Sequence, residues 1–177
     1  MAERSRASSQ FLSLEEIAEY HEDTVAALRR YFTDTSSSSA ERFFLLTNDE
    51  LEEELKIRIN ETSLRSILVI LASLEASFRM DYEFRCQNKL KDKLSRVFRE
   101  MYKRKATEVS LERYIFESWK THIVESQKRI GDLRTAFKLR HWLAHGRYWT
   151  PKLGKNFDFD SVYDLALAVN KEFFANE

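Results

Sequence analysis

Turns are what this chain lacks. Its 177 residues contain three glycines, Gly131, Gly146 and Gly154, and one proline, Pro151. A β-sandwich reverses direction roughly every 8–12 residues and draws on turn formers each time. Helices joined end to end need far fewer such residues. The scarcity therefore predicts an all-α fold, and the hydrophobic spacing agrees with it. Leu14, Ile17, Val25, Leu28 and Phe32 recur at mostly helical intervals, as do Leu90, Leu94, Val97, Phe98 and Met101, then Leu111, Tyr114, Ile115, Trp119 and Ile123.

Helix ends are marked along the chain. "SLEE" from Ser13 and "TNDE" from Thr47 have the form of a capping box, in which a hydroxyl caps the first turn and a glutamate reaches back. "SLER" from Ser110 is a looser version, with Arg113 where the acid belongs. "TDTSSSS" at 33–39 reads as a flexible break and "NETS" at 60–63 as a helix restart. The run from Ser63 to Gln87 is then the central buried helix. A helix over about 126–145 should stop at Gly146, because glycine accepts the left-handed conformation past a helix end. "RYWTPKLGKNF" follows as a loop, and Asp158 or Asp160 caps a last helix with Val162, Leu165, Ala166, Val169 and Phe173 inward. Residues 1–12 read as a flexible tail and 13–177 as one helical domain, without internal repeat or long linker.

Cys86 is the only cysteine, which excludes an intramolecular disulfide and suits a reducing compartment. The longest apolar run, "ILVILA" at 67–72, is too short for a membrane span, and "MAERSRASSQ" has no signal-peptide core. The expectation is a soluble, cytoplasmic protein with no membrane partner. Formal net charge is zero, yet acids dominate from Phe11 to Glu61 and bases from Arg85 to Lys105. Between Leu133 and Phe157 there is no carboxylate, against Arg134, Lys138, Arg140, Arg147, Lys152 and Lys155. Such basic segments suit a local anion site or, more simply, solvated helix faces.

The second basic window contains "LRHWLAHGRYW", residues 139–149, where histidines, arginines and tryptophans crowd together. His141 and His145 share a helix face at metal-ligand spacing. However, Trp142 stands where a zinc protease needs its glutamate, and no further histidine or cysteine follows. Phosphodiester cleavage without a metal fits better. It needs a proton shuttle working near neutral pH, which histidine supplies, and a fixed cation for developing phosphorane charge, which the arginine fork supplies. Arg140 and His145 surround the last helical turn, whose dipole favours an imidazolium. Arg147, Lys152 and Lys155 could hold neighbouring phosphates, and Trp142, Tyr148 and Trp149 could stack on bases or simply pack.

Arg140-His141-Trp142-Leu143-Ala144-His145 resembles the R-x4-6-H motif of the HEPN superfamily of helical ribonucleases. The polar His141 fits the position after the arginine, and the motif sits near the end of a helix, with a further helix after it. The resemblance spans most of residues 13–175 and implies a HEPN-like bundle of about five main helices. It implies a metal-independent endoribonuclease with no cofactor, in which the substrate's own 2′-OH attacks and leaves a 2′,3′-cyclic phosphate. His145 is then the general acid or base, Arg140 stabilises the transition state, and His141 assists. Arg147, Tyr148, Lys152 and Lys155 would contact RNA. It further implies a homodimer with two motifs facing one cleft, and a toxin or antiphage effector with a possible cognate antitoxin. A tyrosine two residues after the motif histidine, modified in some toxins, is replaced here by Arg147, with Tyr148 one later; that form of control is not expected. Glu75 either orients Arg140 from the cleft or pairs with Arg79 one turn on, the second being the simpler expectation. The alternative to an enzyme is a catalytically inactive helical module that binds a protein or nucleotide.

Overall fold

The computed structural model describes residues 12–34, 42–105 and 107–174. All but Leu12 of the expected tail over 1–12, and most of the expected break over 33–39, lie outside these residues. Among the described residues, six α-helices with both ends in view follow one another: α1 (Leu14–Thr33), α2 (Asn48–Gln87), α3 (Lys93–Lys105), α4 (Phe116–His122), α5 (Gln127–Ala144) and α6 (Phe159–Val169). A π-helical turn, Leu111–Ile115, leads into α4, a 3₁₀ turn, Val124–Ser126, into α5, and a second π turn, Asn170–Phe174, extends α6. No strand occurs among the described residues, and no helix there is long and apolar enough to cross a membrane. The fold is an all-α bundle.

The caps explain where the helices begin. Ser13 accepts from the Glu16 amide while the Glu16 carboxylate accepts from the Ser13 amide, and Thr47 with Glu50 repeats the exchange. Asp158, not Asp160, caps α6, accepting from the Ser161 amide at 2.9 Å. Asp92 does the same for the Ser95 amide, which is why α3 starts later than the Leu90 periodicity suggests. Ser110 accepts from the Arg113 amide, but the arginine cannot return the bond, and the chain there opens as a π turn.

The restart expected at 60–63 does not exist. α2 runs through it unbroken for 40 residues. "NETS" carries neither glycine nor proline. The hydroxyls of Thr62 and Ser63 donate to the carbonyls of Arg58 and Ile59, one turn back, so these polar side chains are satisfied inside the helix instead of capping a new one. The second half of α2 is the buried axis, with Ile67, Ile70, Leu71, Leu74, Phe78 and Tyr82 facing inward. Phe78 is enclosed by Phe116, Trp119, Phe173 and Phe174, all edge-on. Buried apolar side chains from all six helices join one continuous cluster, with Phe32 of α1 lying outside it. Burying a residue such as Phe78 contributes about 1.5–3 kcal/mol, and its edge-on ring pairs add to that. This core fixes α5 against α2 and so sets the geometry described next.

Candidate active site

α5 divides its side chains by face. Ile130, Leu133, Ala136, Phe137, Leu139 and Leu143 are buried against the bundle. Positions 141 and 145 fall on the opposite face by the 3.6-residue period, and both histidines are exposed. Their rings lie 4.2 Å apart, centroid to centroid, at 52°. Trp149 closes on His141 at 5.8 Å, and Tyr148, 83% exposed, stands edge-on to Trp149 at 4.6 Å.

The helix ends where glycine allows it. His145 is the C-cap residue, Gly146 takes φ +77°, and the Arg147 amide donates to the Trp142 carbonyl at 3.1 Å. This is the long bond of a Schellman motif, and it turns the chain sharply back past the imidazoles. Arg147 itself sits at φ +58°, a left-handed conformation that costs a side-chain-bearing residue about 1–2 kcal/mol. It is held there by its partners. Its guanidinium lies over the Trp142 ring at 5.6 Å and donates to Glu61 of α2 at 2.6 Å. The Trp142 indole N–H donates to the Trp149 carbonyl at 2.6 Å, which ties the loop to the helix it leaves. Arg147 and Trp142 are thus fasteners of the loop. Lys152 and Lys155 are exposed on the same loop, with the Lys155 ammonium 4.9 Å from the Phe157 ring.

Arg140 follows the bundle-facing side of α5, three residues after Phe137 and three before Leu143, and its side chain is 33% exposed. Its Nη2 pairs with Glu75 Oε2 at 2.8 Å, while Glu75 Oε1 accepts from Arg79 at 3.0 and 2.8 Å. The two alternatives for Glu75 are therefore both realised, one on each oxygen. Arg79 is in turn fixed by donating to the Val109 carbonyl at 3.1 Å. The chain Arg140–Glu75–Arg79–Val109 locks the guanidinium from α2 and the loop after α3. Arg140 Nε–H is buried without a partner among the described residues, and an unmet donor of this kind costs about 1–3 kcal/mol. Arg140 pairs with Glu75, and among the described residues no bond joins it to either imidazole; the guanidinium and the histidines leave the end of one helix on different faces.

Sequence reasoning had no means of finding Glu61, which is 86 residues from Arg147, or the indole bond that pins the loop. Asp81 of α2 is buried and takes the Arg85 Nε–H at 2.6 Å, a structural role. Among the described residues no three His, Cys, Asp or Glu side chains gather as a metal site, and His141 with His145 remains a pair. Comparison with protein-family models, with curated proteins and with solved structures returns no match for this chain.

Proposed function

We propose that the protein is a metal-independent endoribonuclease of the HEPN kind, with Arg140 and His145 as its catalytic residues and His141 as their assistant. The observation that carries this reading is the junction at the end of α5. Two exposed imidazoles lie 4.2 Å apart at the end of the helix that also carries Arg140, an arginine that a glutamate on another helix holds in place. An imidazole can take the proton from a ribose 2′-OH as that oxygen attacks phosphorus, and an imidazolium can return a proton to the departing 5′-oxygen. The products are a 2′,3′-cyclic phosphate and a free 5′-hydroxyl. A guanidinium already fixed by Glu75 and Arg79 needs little reorganisation to meet the charge that grows on the phosphorane oxygens. Exposed Tyr148, Lys152 and Lys155 are suited to the flanking nucleotides. Arg147, engaged by Glu61 and Trp142, holds the loop that would present these RNA contacts, itself included.

The working unit in this reading is a homodimer that brings two α5 ends to one cleft, and the setting is a toxin or antiphage effector in the cytoplasm with a cognate antitoxin. Incubation of labelled RNA in EDTA tests the chemistry. Wild type should cut and leave 2′,3′-cyclic ends, and His145→Ala and Arg140→Ala should each lose about a hundredfold or more while keeping the wild-type helical signal. Cleavage by His145→Ala at the wild-type rate would sink the assignment. Wild-type protein that binds RNA or another partner and never cuts would favour the inactive module.

A further inference from the structure

Away from α5, two surface regions are apolar at the centre and charged at the edge, with opposite signs. The first lies where the chain enters α2. Phe43 is anchored on α1, its ring 4.7 Å from Phe32 and 5.6 Å from Tyr31. The next two side chains point outward, Phe44 being 84% and Leu45 89% exposed. Phe43, Leu45, Leu46 and Ile57 line a shallow trough of about 520 Å³, edged by Glu50, Glu53 and Glu54 and by one cation, Arg42, whose guanidinium lies 5.8 Å from the Phe43 ring, so that acids outnumber bases on its rim. Contiguous apolar exposure inside a charged rim marks an interaction surface. Glu50 is used by the Thr47 cap and Glu54 by Arg58, whereas Glu53 has no ion-pair partner among the described residues.

The second region is the outer face of α3. Val97 and Met101, one turn apart and partly buried, form a stripe in a groove of about 300 Å³ flanked by Arg96 and Arg104. The one acid in that groove, Glu100, is neutralised by Lys103 at 2.6 Å. Arg96 and Arg104 have no ion-pair partner among the described residues.

We propose that the acidic trough at the start of α2 receives the basic face of α3 from a second copy of this chain. An amphipathic helix laid into an apolar groove is a recurrent mode of recognition. Here the apolar stripe of Val97 and Met101 meets Phe43, Leu45, Leu46 and Ile57, and the unpaired arginines meet an acidic rim with an unpaired glutamate. The two surfaces are different, so the contact is head-to-tail. Each added copy leaves one trough and one α3 face open, and growth continues unless the rotation closes a ring. The contact uses neither α5 nor its histidines and stands independently of the ribonuclease reading.

Sedimentation velocity over a concentration series at low and high salt tests it. Wild type should grow beyond whatever species Leu45→Asp and Arg104→Glu both form, and high salt should suppress that growth. Each substitution should weaken the association at least about tenfold, by charge in an apolar trough or by like charges face to face. The deciding sample is an equal mixture of the two variants. The intact trough of Arg104→Glu fits the intact α3 of Leu45→Asp, so the mixture should restore association that neither variant shows alone, stopping at one-to-one pairs if the shared species is a monomer and growing in alternation if it is a two-fold dimer that carries two of each surface. Wild type that does not grow, growth that neither substitution touches, or a mixture that behaves as the sum of its parts overturns the proposal. Binding of an unrelated basic amphipathic peptide to the trough, without self-association, would assign it to a different partner.

Discussion

Glu75 shows what sequence spacing resolves and what it leaves open. Four residues separate it from Arg79, and an i,i+4 pair is visible at once. The second oxygen's bond to Arg140 depends on how α5 packs against α2, and no local pattern encodes that. His21 is a clearer miss, because nothing around it suggests a role. Its ring stacks on Phe159 of α6 at 3.8 Å and 12°, and Nδ1 lies 3.1 Å from Ser66 Oγ on α2. Burial there lowers its pKa below the ordinary 6.5, against the opposing pull of Asp160 and Glu22. The unfolded chain therefore takes up a proton that the folded chain refuses. His21's contribution to stability is complete above about 6.5 and declines as the pH falls toward the folded-state pKa. The urea midpoint should drop between about pH 7.5 and 5.5, and His21→Phe, which keeps a ring against Phe159, should flatten that slope. Identical slopes in the two proteins would exclude His21 as the source.

At the level of the element, the cap residues were the most readable part of the chain. Ser13, Thr47, Asp158 and Gly146 mark helix ends through bonds made within a few residues, and local chemistry decides such bonds. "NETS" misled for the same reason. Its residues favour a cap, but they also fit a helix interior when their hydroxyls bond one turn back, and the packing of the apolar stretch that follows decides between the two. The π turns at Leu111–Ile115 and Asn170–Phe174 have no sequence mark that we can identify. Gly146→Ala separates conformation from crowding. A methyl group there would meet nothing within 4 Å, but φ is +77°. The variant should lose about 1 kcal/mol of stability through the backbone alone. Because His145 and Trp149 flank this turn, the RNA cleavage proposed for this site should fall further than stability does. A variant as stable as wild type would show that the turn relaxes freely.

For the whole molecule, the composition predicts helices correctly, because a chain with four glycine and proline residues in 177 has few other ways to fold. The assembly is not legible in the same way. One α5 end offers one Arg140 and one His145, while in-line cleavage uses both a base and an acid, and a two-fold contact would supply both from a single sequence. Mixing tests this: excess His145→Ala subunits, exchanged with wild type, should depress activity below simple dilution. Loss strictly in proportion to the wild-type fraction would mean that each subunit works alone. α2 adds a mechanical property. It has no glycine or proline anywhere in its length, and from Glu50 beside the trough to Glu75 under Arg140 it measures about 38 Å at 1.5 Å per residue. A helix without a hinge behaves as a stiff lever. Its outer end beside Ile57 stands out from the core while its inner end at Glu75 is gripped by the bundle, so the whole length is one cantilever anchored at the Arg140 end.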